Sequence, residues 1–196
     1  MIEIIKEEAI KDHIPIIMDD TLNEISKILI QEKPKQILEI GTAVGYSAIC
    51  FSKFLHEYGK IDTIEIDEVR AKKAIDNIRK MNLEKKINVI IGNAIEIMPT
   101  LTTKYDIIFI DAAKGKYPIF LKASIRLLNT NGIIIADNVL YKGYVLGEYN
   151  KHKQRTAVTN LREYIKLVTE DKNLETKILD IGDGIAITRK KGTASN

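Results

Sequence analysis

The sequence predicts an α/β fold: a seven-stranded, mostly parallel sheet with a C-terminal antiparallel hairpin and helices on both faces. Three observations predict it. Short apolar runs rich in isoleucine alternate with longer amphipathic segments through most of the chain, as expected of parallel strands joined by helical crossovers. Near the start, the apolar run Ile37, Leu38, Ile40 leads into a turn carrying Gly41 and Gly45, and a helix is expected to begin at Tyr46. Near the end, two apolar runs flank Gly182-Asp183-Gly184, a tight-turn composition that implies an antiparallel hairpin.

Each element follows in order. The first residues, Met1 to Glu8, are acidic and amphipathic, unlike a secretory signal. Residues 1–35 are expected to form an N-terminal helical segment, with one helix near 18–32. Within it, Pro15, Ile16, Ile17 and Met18 are expected to pack over a bound cofactor or at a dimer contact. Strands are expected near 36–41, 61–66, 87–91, 105–111 and 132–136. Helices are expected near 45–58, 68–81, 116–128 and 153–170. Leu174 to Asp180 and Ile185 to Thr188 form the hairpin, and residues 190–196 form a frayed tail. No repeat or interdomain linker interrupts the pattern, so residues 1–196 are expected to form one domain.

Composition narrows the class. A chain of 196 residues that is 45% hydrophobic can bury a full core. Charged residues make up 29%, and the formal net charge of +3 gives no strong electrostatic vote for nucleic acid. No apolar run approaches the ~18 residues needed to span a bilayer. The single Cys50 lies in the apolar part of a predicted helix and has no intramolecular disulfide partner. A cytoplasmic protein without a membrane partner is expected.

The first loop indicates a cofactor. A dinucleotide fingerprint reads G-x-G-x-x-G, with a pyrophosphate seated on a helix N-terminus. Here the spacing is G-x-x-x-G, with Glu39 just before it. An acid is a poor neighbour for a pyrophosphate and suits a ligand bearing an ammonium or sulfonium group, of which S-adenosylmethionine is the ordinary example. The next apolar strand ends in Thr63-Ile64-Glu65-Ile66-Asp67, and an acid about 20 residues past the loop commonly accepts hydrogen bonds from a ribose.

Two later strand ends carry a different chemistry. The run Ile107-Ile108-Phe109-Ile110 ends in Asp111, followed by Ala112-Ala113-Lys114, and Ile133-Ile134-Ile135-Ala136 ends in Asp137-Asn138. Taken singly, these residues read as a helix cap, an Asx turn and a solvated lysine. In an open parallel sheet, however, such ends face one crevice. Burying two acids there is costly without a cation. Two carboxylates and an amide oxygen form a hard, all-oxygen set that suits Mg²⁺ rather than zinc. The three histidines show no ligand spacing.

With these residues in view, the chain resembles the cation-dependent O-methyltransferases of the catechol and caffeoyl-CoA type, which have a Rossmann-like class I fold. The matching stretches are LEIGTAVGYSA (38–48), TIEID (63–67), IGNAIEIMP (91–99), FIDAAKGKYP (109–118), IIADNVLYKG (134–143) and IGDGIAITRK (181–190). The resemblance implies that Asp111, Asp137 and Asn138 bind the metal and that Lys114 lies beside the reacting hydroxyl. It further implies that Glu65 holds the ribose, that Ser47 and Gly41 hold the methionine end of the cofactor, and that Ala94 and Ile95 surround the adenine. Relatives of this type are often homodimers. A finer similarity is to the bacterial tRNA 5-hydroxyuridine methyltransferases, through DAAKGKYP, DNVLYKGYV, the closing IGDGIAI and a K-x-K-x-R-T element (Lys151, Lys153, Arg155, Thr156).

The chemistry then selects the substrate class. A hydroxyl attacks a sulfonium methyl poorly unless deprotonated, and a cation gripping that hydroxyl and an adjacent oxygen lowers its pKa. Lys114 could take the proton or stabilise the oxyanion. Catechols offer two neighbouring oxygens, and so does 5-hydroxyuridine. From Lys142 to Arg162 the cations Lys142, Lys151, Lys153, Arg155 and Arg162 face one acid, Glu148. Tyr141, Tyr144 and Tyr149 are interleaved, and Tyr117 lies in the preceding loop. Cations for phosphates and rings for an exposed base fit a tRNA anticodon loop. The substrate contacts expected on this reading are Tyr117, Lys142, Lys151, Lys153 and Arg155, and a small aromatic diol is the alternative substrate.

Overall fold

Most isoleucine-rich runs become strands, whereas those at residues 2–5 and 95–97 lie in helices. The structure, a computed structural model, describes residues 1–147 and 154–192. The chain divides into two units, Met1–Ile97 and Met98–Asn196. The first carries α1 (Ile2–Lys11), α2 (Asp19–Glu32), β1 (Gln36–Ile40), α3 (Tyr46–Phe51), β2 (Lys60–Glu65), α4 (Glu68–Lys80), β3 (Ile87–Ile91) and α5 (Ala94–Ile97). The second carries β4 (Tyr105–Ile110), α6 (Tyr117–Leu127), β5 (Leu128–Ala136), α7 (Arg155–Glu170), β6 (Leu174–Leu179) and β7 (Ile185–Lys190). The strand order is β3-β2-β1-β4-β5-β7-β6, the mixed, mostly parallel sheet that the sequence predicts.

In the first unit, β1 pairs with β2 and β2 with β3, all in parallel. Ile37, Leu38 and Ile40 of β1 are buried, as strands covered on both faces must be. Thr21, Ile25 and Leu29 recur every fourth residue along the buried side of α2. Asp67, the last acid of TIEID, caps α4 by accepting from the Val69 and Arg70 amides at 2.9 and 3.0 Å. The helix expected over 45–58 is shorter. It ends at Phe51, passes through one 3₁₀ turn over Ser52–Phe54 and leaves Leu55 extended. The Ser52 hydroxyl donates back to the Ile49 carbonyl at 2.8 Å, the local competition that disfavours serine inside helices.

In the second unit, β4 pairs with β5 in parallel, and β7 pairs antiparallel with both β5 and β6. Strand β5 starts four residues earlier than the sequence suggests, because Leu128 already pairs with Tyr105. The Asn-Thr-Asn-Gly stretch bends the strand, with Asn131 at φ 64° and a register shift opposite. The hairpin connection is wider than a two-residue turn, since β6 ends at Leu179 and its partner begins at Ile185. Its carbonyls serve another segment: Asp183 accepts from the Leu140 and Tyr141 amides, and Gly184 from the Val139 amide. Among the described residues, no helix is long and apolar enough to cross a membrane.

Candidate active site

The loop after β1 is held from below and from the side. Glu39 is fully buried, and its two oxygens accept from the Ser47 hydroxyl and, at 2.5 Å, from the Thr63 hydroxyl. The Thr63 oxygen lies 2.6 Å from that of Thr42, so one buried network ties β1, β2 and the loop. Glu39, expected from the sequence to suit a positively charged ligand group, accepts from the Ser47 and Thr63 hydroxyls and so orients Ser47, because buried carboxyl oxygens are paired with fixed donors. Gly45 admits no side chain: its φ is +80°, and a Cβ there would sit 3.3 Å from that of Ala74 on α4. Asn77, on the same helix, donates to the Val44 carbonyl at 3.0 Å.

Glu65 closes this loop. One of its oxygens accepts from the Ala43 amide at 2.8 Å and the other from the Asp67 amide at 3.0 Å. A carboxylate has about four acceptor positions, so two remain for hydroxyls such as those of a ribose. Gly41 donates its amide to the Ile64 carbonyl at 3.0 Å. Ala94 is buried, and the Ile95 amide is taken by the Asn93 side chain at 3.0 Å. Met18, at the start of α2, is 51% exposed.

In the second unit, β4 delivers Asp111 and β5 delivers Asp137 and Asn138. The Asp137 amide donates to the Ile110 carbonyl at 3.0 Å, which carries the pairing of the two strands up to their acidic ends. Asp137 is 2% exposed, and its carboxyl accepts from the Asn138 amide at 2.7 Å. Burial, reinforced by the charge of Asp111, pushes the Asp137 carboxyl up to about 7. Burial also raises Asp111, against the pull of Lys114. The Lys114 ammonium donates to Asn138 Oδ1 at 2.9 Å and lies 5.5 Å from the centre of the Tyr141 ring. This is a desolvated pair of like charges beside one lysine, an arrangement that a further cation would relieve. No group of three His, Cys, Asp or Glu side chains among the described residues could hold a metal. An ion here would thus depend on two carboxylates, the Asn138 amide and outside oxygens.

Two residues that complete this region are missing from the sequence reading. Asp183 and Gly184 pin the backbone just past Asn138, and a Cβ at Gly184 would sit 2.3 Å from Leu140 Cγ. The GDG stretch carried the signal, but only as a turn. Tyr117 requires a correction. It is fully buried, donates to the Asp137 carbonyl at 2.8 Å and packs edge-on against Tyr164. It braces the acidic strand ends and has no free face for a base, because burial of the ring at the start of α6 outweighs any display in the loop. Lys142 and Arg155 are exposed, whereas Lys151 and Lys153 lie outside the described residues. Arg162, counted above among the cations, spends its guanidinium on three backbone carbonyls.

Comparison with known proteins decides the family. A family profile described as O-methyltransferase matches residues 2–191. The chain belongs to the O-methyltransferase family. This methyltransferase is 33% identical over 151 residues to a catechol O-methyltransferase of Niastella koreensis, covering 75% of this chain and 67% of that one. A candidate caffeoyl-CoA O-methyltransferase from Staphylococcus aureus superposes with a TM-score of 0.89 at 34% identity, covering 96% of this chain and 91% of that one. An O-methyltransferase from Bacillus cereus in complex with SAH superposes with a TM-score of 0.88 at 25% identity, covering 97% and 90%. The chain is accordingly an S-adenosylmethionine-dependent O-methyltransferase of the caffeoyl-CoA and catechol type.

Proposed function

We propose that this methyltransferase is Mg²⁺-dependent and methylates the 5-hydroxyl of 5-hydroxyuridine at the wobble position of tRNA. The observation that carries the metal is the desolvated Asp111–Asp137 pair beside Asn138. Its donors are all hard oxygens, too few to enclose an ion, which is how Mg²⁺ is commonly held in sites that leave room for water and substrate. When bound, the ion supplies a Lewis acid that makes a hydroxyl flanked by a second oxygen easier to ionise. The chain's own residues do the rest. Lys114, 2.9 Å from Asn138 Oδ1, would balance the resulting negative charge as its ammonium, or take the hydroxyl proton if it has first lost its own to solvent. Tyr117 fixes the Asp137 backbone, so the acids keep their geometry as charge moves. For the cofactor, Ser47 and Gly41 would meet the methionine end, Glu65 the ribose, and Ala94 and Ile95 the adenine.

Substrate choice rests on the segment after Asn138. Tyr141 lies beside Lys114, Lys142 follows it exposed, and Arg155 is exposed at the first turn of α7. A ring next to the reacting group and cations farther out suit an unpaired base within a phosphate chain. A second reading, a small aromatic diol, is favoured by the catechol and caffeoyl-CoA names of the relatives. One experiment separates them. The protein is incubated with S-adenosylmethionine and tRNA containing 5-hydroxyuridine, with and without Mg²⁺, and nucleosides are analysed by mass spectrometry. A metal-dependent gain of one methyl supports the tRNA reading, and brisk methylation of a catechol with none on the tRNA rejects it.

A further inference from the structure

Helix α7 reaches two loops of the acid–lysine region through two side chains. Asn160 Nδ2 donates to the Gly115 carbonyl at 2.9 Å, one residue beyond Lys114. Arg162 Nε donates to the Val145 carbonyl at 3.0 Å, and Nη2 to the carbonyls of Tyr144, at 3.3 Å, and Gly147. Both residues act on backbone rather than on the acids.

Both loops are irregular backbone, so side chains from outside bear on their conformation. Lys114–Lys116 is a single 3₁₀ turn, with few internal hydrogen bonds of its own. The turn packs against α7, since a Cβ at Gly115 would meet Asn160 Nδ2 at 3.8 Å and Thr156 Cγ2 at 3.9 Å, ordinary van der Waals distances. The Asn160 amide adds a directional bond to that packing and fixes the Gly115 carbonyl. In the second loop, Tyr141 and Lys142 have φ of 41° and 57°, a left-handed backbone state that non-glycine residues keep only when their surroundings impose it. The amides of Val139 to Tyr141 are held by the hairpin turn, and Arg162 holds the carbonyls on the far side.

We infer that Asn160 and Arg162 are positioning residues with separate duties. Asn160 sets the Lys114 turn for the chemical step, and Arg162 sets the Tyr141–Gly147 segment for substrate binding. The kinetic part rests on the role proposed above for Lys114, whereas the anchoring part does not. A guanidinium presents five donors in a rigid planar fork that reaches carbonyls set apart from one another, whereas a lysine ammonium gathers its three donors at one point.

The test combines steady-state kinetics, with whichever substrate the wild-type enzyme methylates, and amide hydrogen exchange of the substrate-free protein. Asn160→Ala is expected to lower kcat about tenfold while KM stays within about twofold, and to speed exchange at residues 114–116. Arg162→Gln is expected to raise KM about tenfold while kcat stays within about twofold, and to speed exchange at residues 143–147. Arg162→Lys should behave like Arg162→Gln. Restoration of KM by lysine would overturn the inference, because charge alone would then suffice. Equal losses of kcat in all variants at unchanged KM would also overturn it, leaving only a structural role. If the wild-type protein methylates neither tRNA nor a diol, the functional reading fails, and the exchange rates still decide the anchoring.

Discussion

Asp137→Asn is expected to make the metal-free protein more stable at pH 8 while abolishing its response to Mg²⁺. Asp137 is 2% exposed, and its carboxyl is moved from 3.8 up to about 7. At about 1.36 kcal/mol per pKa unit, ionising it in the fold costs on the order of 4 kcal/mol. The sign follows from proton binding. Between the two pKa values the folded state holds more protons than the unfolded state, so stability is greatest below the unfolded value. It falls as pH rises towards 7 and levels off above. Asparagine keeps the size of the side chain and an oxygen for the Asn138 amide, 2.7 Å away in the wild-type protein, and it removes only the charge. If half of the cost is recovered, the melting midpoint at pH 8 in EDTA rises by about 4–8 °C for a chain of this size. At Mg²⁺ one hundred times its Kd the wild-type protein gains about 2.7 kcal/mol, and the variant gains nothing. Thermal denaturation at pH 5 and 8, with EDTA or Mg²⁺, reads all four conditions. A variant no more stable than wild type at pH 8 in EDTA would refute the reasoning.

Other outcomes follow from single contacts. Tyr117→Phe leaves the buried Asp137 carbonyl without its 2.8 Å donor. It should cost about 1–3 kcal/mol by denaturant titration without changing affinity for RNA in a filter-binding assay. Gly184→Ala places a Cβ 2.3 Å from Leu140 Cγ at φ +88°. It should destabilise by at least about 2 kcal/mol and cut turnover, because the backbone past Asn138 must move. Burial pushes the Cys50 thiol up to about 11, so it should stay protonated at pH 8. Iodoacetamide should then label it only after unfolding, and rapid stoichiometric labelling of the folded protein would contradict its placement.

What could be read from the sequence was periodicity and strand-end chemistry. The strands β1 to β4 lie within a residue or so of where the apolar runs end, because burial on both faces leaves no other conformation for such runs. The acids Glu65, Asp111 and Asp137 stand at strand ends as expected, since a carboxylate rarely continues a buried run. Tyr117 was misread because a tyrosine in a loop looks available, and only packing against Tyr164 reveals that it is buried. The hydroxyl donors of Glu39, Ser47 and Thr63, were not legible because they lie 8 and 24 residues away in sequence. The same distance problem hid Arg162, whose carbonyl partners lie 15 to 18 residues upstream. Long-range side-chain to backbone bonds leave no periodic trace.

The central claim, that Asp111, Asp137 and Asn138 hold a divalent ion for methyl transfer, is met most directly by Mn²⁺ titration monitored by electron paramagnetic resonance of the free ion. The account predicts one ion captured per chain by the wild-type protein, with capture lost in Asp111→Asn and Asp137→Asn and retained in Glu65→Gln. Capture of an equal amount by the two aspartate variants would contradict it.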